Sequence, residues 1–242
     1  MWPCIPGEGA AASSSLVNLL LDGNPMEILE VKALAIPDLR VIRFGRFCDS
    51  RGYFTEPYRR GDLDKHPQTA FFKGLSIVQA NESWSRAGTI RGLHFQWNPY
   101  MGKLVRTLSG QMVDLALDIR KGSPTCGKIV AYDMPAAPDR KFDEWIWVPP
   151  GFAHGNYFPQ ATQIEYLCSG EYSPGCEGCV SPFAPDLDWS LASADLAKDF
   201  RALLQNHPVV SDKDRNAMSF AEWMKDARSN NFQYTTAREE PR

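Results

Sequence analysis

The residues that decide the fold are Gln111-Met-Val-Asp-Leu-Ala-Leu-Asp-Ile-Arg120. Apolar and mostly polar residues alternate along this stretch with a period of two, which predicts a β-strand with one buried and one mostly polar face. The apolar set is Val113, Leu115, Leu117 and Ile119, and the other set is Met112, Asp114, Ala116 and Asp118. No helical spacing competes with this pattern, so the stretch indicates a strand.

The same kind of pattern extends outward on both sides of this strand. Short apolar runs separated by Gly, Pro, Asn and Asp fill the chain from Glu27 to Trp189, which is typical of a β-sandwich or β-barrel. Further strands are predicted at Glu144–Val148 and Gln163–Cys168. The first of these must end at the following Pro-Pro-Gly, because proline cannot donate a hydrogen bond within a central strand.

After Trp189 the apolar period changes from two to that of a helix. Leu196, Phe200, Leu203 and Leu204 form one stripe, and Ser219 with Glu222 is a capping box that begins a second helix. The sequence therefore predicts four parts along the chain, which are a disordered leader at 1–25, a β domain at 26–189, a helical segment packed on it at 190–228, and a flexible tail at 229–242.

The composition excludes several classes of protein. The 242 residues include 26 Lys and Arg against 29 Asp and Glu, a net charge of -3 that creates no general attraction for nucleic acid or an anionic membrane. No apolar run approaches the roughly 18 residues of a membrane span. The first basic residue is Lys32, so an export signal is not supported and a cytoplasmic location is expected.

Six scattered cysteines are typical of reduced thiols rather than a disulfide framework. Cys176-Glu-Gly-Cys179 is a lone CxxC motif among glycine and proline. A zinc ribbon needs a second pair and a thioredoxin-like site needs a flanking helix, so a structural role is favoured for both thiols.

The residue types best suited to catalysis are a histidine, a lysine and a tyrosine on predicted strands. His94 and Tyr166 would meet Lys103 in one pocket if their strand faces line the interior of a barrel. A histidine can remove a proton beside a carbonyl, an ammonium can stabilise the enolate oxygen, and a phenol can return a proton to the opposite face. The alternative is that these side chains are hydrogen-bonded or packed core residues.

A metal site is the main rival for a β-barrel with histidines pointing inward. His66 and His207 are each followed by proline and are predicted to lie in loops, so only His94 and His154 remain as pocket histidines. A pair of histidines is a small ligand set for such a site. We therefore expect no metal.

Six motifs then occur in one order along the chain. They are Asp49-Ser-Arg51-Gly-Tyr-Phe54-Thr-Glu56, Gln79-Ala-Asn81, Arg91-Gly-Leu-His94-Phe-Gln96, Lys103-Leu-Val-Arg, Gly110-Gln-Met-Val-Asp114 and Pro150-Gly-Phe-Ala-His154-Gly. In this order they resemble the dTDP-4-dehydrorhamnose 3,5-epimerase family. The resemblance runs from about Met26 to Trp189 and extends into Ser211-Asp-Lys-Asp214.

The resemblance implies a mainly β, cupin-type jelly roll that forms a homodimer and uses neither a metal nor a cofactor. Its substrate would be a nucleoside-diphosphate 4-keto-6-deoxy sugar. By motif, His94 is the expected base, Asp214 its carboxylate partner, Lys103 the enolate stabiliser and Tyr166 the acid. An aspartate in that position would orient the imidazole and raise its basicity.

The resemblance also implies a set of substrate-binding residues. They are Arg51, Phe54, Glu56, Gln79, Asn81, Arg91 and His154. Arginine forks suit phosphate oxygens and a phenylalanine ring suits a pyrimidine face. Strict alternation would place Arg91 and His94 on opposite faces, so Gly92 is predicted to mark a bend or bulge.

The predicted function is inversion of C3 and C5, or of C3 alone, through enolate intermediates. A 3,4-ketoisomerase, a 3-epimerase acting on another nucleotide sugar, a non-catalytic sugar-nucleotide-binding cupin and a metal-dependent cupin oxygenase remain as alternatives. The nucleotide base, the sugar and the pathway stay open.

Overall fold

The structure is a computed structural model that describes residues 26–235. These residues form two compact units that are interleaved along the chain. The smaller unit contains 26–32, 41–75 and 137–145, and the larger contains 33–40, 76–136 and 146–235. This division differs from the predicted boundary near 189, because strands distant in sequence pair with each other and the C-terminal helices belong to the larger unit.

The smaller unit holds short strands and two short helical segments. Most of β1 (Ile28–Ala33) and β2 (Arg40–Gly45) lie in it, followed by β3 (Phe47–Asp49), β4 (Gly52–Phe54), α1 (Arg60–Lys65) and a 3-10 helix at Pro67–Phe72. Strands β3 and β4 form an antiparallel hairpin in which Phe47 lies opposite Phe54.

The larger unit is built from two antiparallel groups of strands. They are β5 (Gln79–Ser85), β6 (Thr89–Gln96), β7 (Lys103–Ser109), β8 (Gln111–Asp118), β9 (Ile129–Pro135), the last residues of β10 (Phe142–Val148), β11 (Phe152–Phe158), β12 (Thr162–Cys168) and β13 (Glu177–Cys179). One group has the order β13-β6-β11-β8-β9, and the other has the order β10-β7-β12-β5. The predicted strands around 111–118, 144–148 and 163–168 are confirmed.

Strand β8 corrects one expectation. Both of its faces are buried, because Asp114 and Asp118 are as inaccessible as Leu115 and Leu117. Asp118 accepts hydrogen bonds from Arg120, Ser123 and Thr125. The polar alternation therefore marks an interior face lined by paired carboxylates, and the apolar face packs against the C-terminal helices.

The C-terminal helices are α2 (Ala194–Gln205), α3 (Asp212–Arg215), α4 (Phe220–Lys225) and a 3-10 helix at Ala227–Asn231. The predicted stripe of α2 is confirmed, since Phe200 is buried and belongs to the same core cluster as Val113 and Leu115. The predicted capping box is also present, with Ser219 and Glu222 making both reciprocal bonds. Within 26–235, no helix has the length and apolar character needed to cross a membrane.

The predicted flexible tail from Ser229 is wrong for its first residues. Phe232 is buried and packs edge-on against Phe95, and the Tyr234 N–H donates to the carbonyl of Lys121. A buried aromatic ring of this kind anchors a terminus that looks polar in sequence. The predictions for 1–25 and for 236–242 lie outside the described residues.

Candidate active site

The centre of the candidate site is a hydrogen-bonded pair formed by His94 on β6 and Asp214 on α3. His94 Nε2 lies 2.6 Å from Asp214 Oδ1, although 120 residues separate the two in sequence. The His94 side chain is 35% exposed and that of Asp214 only 7%. Because the carboxylate is buried and the imidazole is partly exposed, a molecule in solution can reach the imidazole.

Asp214 is held in place from three sides. Its backbone N–H donates to the Ser211 hydroxyl, which caps α3, and its Oδ2 accepts from the Gly92 N–H at 3.2 Å. Burial opposes ionisation of this carboxyl, but the hydrogen bonds from His94, Gly92 and Ser211 outweigh it and lower the pKa of Asp214 below its usual value. The pair therefore keeps an anionic partner for the imidazole.

Gly92 resolves the conflict between Arg91 and His94. On β11, His154 and Asn156 are two residues apart, but their partners on β6 are His94 and Arg91, which are three apart. Strand β6 therefore carries one extra residue, a β-bulge, as predicted. Gly92 has φ +115°, and a Cβ there would lie 2.5 Å from the Gly155 Cα, so only glycine fits.

Lys103 and Tyr166 stand on the neighbouring strands β7 and β12, whose register pairs Lys103 with Cys168. Burial lowers the pKa of Lys103, an effect that Cys168, Asp114 and Glu177 partly offset. Burial also raises the pKa of Tyr166, which keeps its phenol protonated.

A second pair joins His154 on β11 to Asp114 on β8. Its Nε2–Oδ2 distance is also 2.6 Å, but here both side chains are buried. Asn156 donates a second bond to the same oxygen at 3.2 Å. The other oxygen, Asp114 Oδ1, is buried and has no partner among the described residues.

A cavity of about 420 Å³ joins these groups within the larger unit. Among the predicted site residues, those lining it are Arg91, His94, Lys103, His154, Tyr166 and Asp214. The structure thus brings together all the residues to which a catalytic role was assigned.

The remaining predicted substrate-binding residues lie elsewhere. Gln79 and Asn81 are hydrogen-bonded to each other on β5, and Asn81 lies opposite Tyr166 in the register. Arg51, Phe54 and Glu56 belong to the smaller unit, where Arg51 pairs with Asp49 and is largely exposed. Glu56 there pairs with Arg59, and Phe54 is about half exposed.

Sequence reasoning missed an ion pair at the rim of the cavity. Lys213 Nζ lies 2.8 Å from Glu177 Oε1, and the Tyr172 hydroxyl donates to the same oxygen. Burial opposes ionisation of Glu177, but the bonds from Lys213 and Tyr172 lower its pKa. The position of Lys213 next to Asp214 could have pointed to Lys213 from the sequence. Its partner Glu177 on β13 could not be found without knowing how the strands pair.

Sequence reasoning also missed a thiol beside the His94–Asp214 pair. Cys179 lies opposite His94 in the β13–β6 register, and its Sγ is 3.8 Å from Asp214 Oδ1. Burial and the adjacent Asp214 carboxylate raise the pKa of this thiol well above its ordinary value. All five cysteines within the described residues are free, so the CxxC motif does not form a disulfide.

Comparison with known proteins places the chain in a family. The family model for dTDP-4-dehydrorhamnose 3,5-epimerase matches residues 33–222. The chain is 34% identical over 200 residues to the dTDP-4-dehydrorhamnose 3,5-epimerase of Pseudomonas aeruginosa, which covers 80% of this chain and 97% of that protein.

Two solved structures are informative. The Legionella pneumophila dTDP-6-deoxy-D-glucose-3,5-epimerase in complex with dTDP-4-keto-L-rhamnose is 30% identical, with a TM-score of 0.69, and the match covers 86% of this chain and 99% of that one. A 3'-monoepimerase from Streptomyces bikiniensis in complex with dTDP-quinovose is 26% identical, with a TM-score of 0.65 and coverage of 80% and 89%.

These matches confirm the predicted mainly β, cupin-type fold and the predicted enzyme class, an isomerase that epimerises sugars. The family model alone spans far more than half of the chain. The chain belongs to the dTDP-4-dehydrorhamnose 3,5-epimerase family.

Proposed function

We propose that the protein inverts C3 and C5 of a dTDP-linked 4-keto-6-deoxyhexose by proton abstraction and enolate formation, without a cofactor. The observation that carries this proposal is the half-exposed His94, paired with a buried Asp214, in one cavity with Lys103 and Tyr166. Both C3 and C5 flank the C4 carbonyl, so a base beside either carbon removes a proton made acidic by that carbonyl.

The first step uses the His94–Asp214 pair. The carboxylate accepts the Nε2–H, which leaves the lone pair on Nδ1, and this nitrogen has no partner among the residues that the structure describes. Nδ1 takes the proton from carbon, the C–H electrons form the enolate double bond, and the carbonyl electrons move to the C4 oxygen. Asp214 then stabilises the imidazolium that results.

Lys103 and Tyr166 complete the reaction. The Lys103 side chain donates a hydrogen bond to the C4 oxygen as negative charge develops there, which is where fixed donors accelerate a reaction most. Tyr166 donates its proton to the opposite face of the same carbon, and the phenolate later recovers a proton. The configuration inverts without any change in oxidation state.

Binding of the rest of the substrate is assigned to the other predicted residues. Arg91 would hold diphosphate oxygens, and Gln79, Asn81 and His154 polar groups of the nucleotide and sugar. A role of Arg51, Phe54 and Glu56 in binding the nucleotide stays a prediction of the resemblance. A homodimer and a cytoplasmic location are also proposed. Light scattering should give twice the 27.1 kDa mass of one chain.

The test is to incubate the protein with a dTDP-4-keto-6-deoxyhexose in deuterated water and follow the sugar by NMR. We expect solvent deuterium at C3 and C5 together with inverted product. A screen of dTDP, CDP, UDP and GDP by thermal shift identifies the nucleotide, because a ligand of the native state raises its apparent stability. Absence of deuterium at both carbons with every nucleotide sugar that binds would refute the proposal.

For Tyr166→Phe we expect deuterium exchange to survive at one carbon while inversion slows by roughly 10²-fold or more, because the acid is lost and the base remains. The matched control is Tyr157→Phe, since Tyr157 lies on β11 against α2 and its hydroxyl donates a hydrogen bond to the carbonyl of Leu196. Equal inversion rates in the two variants would remove Tyr166 from the acid role.

Inversion of C3 alone is a second candidate, because the similar Streptomyces bikiniensis structure is a 3'-monoepimerase. The same NMR experiment separates the two. Deuterium and inversion restricted to C3 would identify a single-centre epimerase.

A further inference from the structure

The thiol beside the catalytic pair is not used in the proposed reaction. Cys179 lies on β13 directly across from His94. Its sulfur contacts Asp214 Oδ1, whereas the Gly92 N–H donates to the other carboxylate oxygen, Oδ2. The nitrogen, sulfur and oxygen ligand atoms of His94, Cys179 and Asp214 all lie within 4.8 Å of one another. Three elements therefore place three different donor atoms around one point.

The chemistry of this donor set is selective. One imidazole, one thiolate and one carboxylate form a ligand set typical of Zn²⁺, whereas Mg²⁺ prefers oxygen ligands alone. A thiolate and a carboxylate together also balance the charge of a divalent cation, so the filled site is electrically neutral.

The two distances to Asp214 Oδ1 need only small adjustments. The His94 nitrogen and the Cys179 sulfur, which lie within 4.8 Å of each other, must approach to about 3.5 Å. With bonds of about 2.0 Å to nitrogen and oxygen and about 2.3 Å to sulfur, tetrahedral ligands lie roughly 3.3–3.6 Å apart. The sulfur and Oδ1 are already 3.8 Å apart, and the imidazole must move about 0.7 Å from its present 2.6 Å contact. His94 faces the cavity and is 35% exposed, so its ring has room to move and a fourth position can hold water.

We propose that His94, Cys179 and Asp214 form an inhibitory binding site for Zn²⁺ and similar thiophilic divalent cations. On binding, the thiol releases its proton to solvent and the sulfur and Nε2 each donate an electron pair to the metal. The imidazole keeps its single N–H, which moves to Nδ1. The nitrogen that must accept the substrate proton then carries a hydrogen, and the base is blocked.

The test uses the full chain and two probes, ZnCl₂ and CoCl₂. Wild-type protein titrated with Co²⁺ should show a thiolate-to-metal charge-transfer band in the near ultraviolet, which Zn²⁺ abolishes by displacement and Mg²⁺ leaves unchanged. The Cys179→Ala variant should lack the band and bind Zn²⁺ roughly tenfold or more weakly, since loss of even an outer contact to a ligand costs that much. Cys176→Ala, the other thiol of the motif, is the matched control and should behave as wild type.

The kinetic arm measures inhibition of each variant by Zn²⁺ relative to its own metal-free rate. We expect Cys179→Ala to require roughly tenfold more Zn²⁺ for half-inhibition, with Cys176→Ala unchanged. The cobalt spectrum does not depend on catalysis, so it decides the metal site even if the proposed reaction is refuted. Two results would overturn the proposal: a wild-type spectrum without a thiolate band, or equal Zn²⁺ affinity in wild type and Cys179→Ala. If Cys179→Ala does not fold, Cys179→Ser replaces it.

Discussion

The larger unit contains two histidine–aspartate pairs with the same geometry and different surroundings. In each, Nε2 lies 2.6 Å from a carboxylate oxygen. The side chains of His94 and Asp214 are 35% and 7% exposed, whereas those of His154 and Asp114 are 8% and 0% exposed. Access therefore distinguishes the two pairs, and it favours the proposed proton transfer by the first and a fixed position in the cavity wall for the second.

The two pairs are also built differently. Asn156 lies directly opposite Asp114 in the β11–β8 register, so His154, two residues away, reaches that carboxylate diagonally on the same face. The His94 pair needs the bulge at Gly92 and the short helix that presents Asp214. Regular strand pairing positions the buried pair, and irregular structure positions the more exposed pair.

The largest expected contrast is between Asp214→Asn and Asp114→Asn. At position 214 the amide cannot hold the Nε2–H tautomer or stabilise the imidazolium, so kcat should fall by roughly 10²–10⁴-fold. At position 114 the loss should be at least about tenfold smaller, because that pair carries no proton in the reaction. Steady-state kinetics with one substrate measures both variants, and equal losses would erase the distinction between the pairs.

For stability, replacing the histidine should cost more in the buried pair than in the exposed pair. His154→Asn leaves the buried Asp114 carboxylate with one donor fewer and should lower the free energy of unfolding by about 2–4 kcal/mol. His94→Asn should lower it by less, since that ring is 35% exposed and Asp214 keeps its hydrogen bond from the Gly92 N–H. Urea denaturation measures both values. Similar losses would mean that exposure does not separate the two pairs.

The smallest effect concerns acid stability. Because the folded protein lowers the pKa of Asp214 below its ordinary value of 3.8, ionised Asp214 stabilises the fold above that pH. This contribution is lost as the pH falls through the lowered pKa, since the protonated form gains nothing from the native contacts. The difference in unfolding free energy between wild type and Asp214→Asn should therefore shrink between about pH 5 and pH 2. A difference that stays constant over this range would contradict the assigned charge.

Much of the fold was predictable because its signals are local. The alternation along β8, the stripe with Phe200 in α2 and the capping box at Ser219 each depend on a few neighbouring residues. The bulge at Gly92 followed instead from the resemblance, which required Arg91 and His94 to meet one ligand. The burial of both faces of β8 was not predictable, since alternation does not reveal that the polar face meets a second layer of paired side chains.

The candidate site was predictable only where residue types and family motifs coincide. His94, Lys103 and Tyr166 suggested proton transfer from their chemistry, and Asp214 followed from the resemblance alone. Asp114, Glu177 and Cys179 were missed because their partners lie on elements far away in the sequence, and no local pattern specifies how those elements meet. Phe232 was missed for the same reason, since its ring contacts strand residues far away in the sequence.

The most direct test of the central claim is solvent deuterium exchange at C3 and C5 of the 4-keto sugar, followed by NMR. The exchange is compared between wild type and His94→Asn, and dTDP binding is measured on the same samples. The base role predicts that His94→Asn binds dTDP as wild type does and shows no exchange above the uncatalysed rate at either carbon. Exchange at the wild-type rate in His94→Asn would contradict it and remove His94 from the base role.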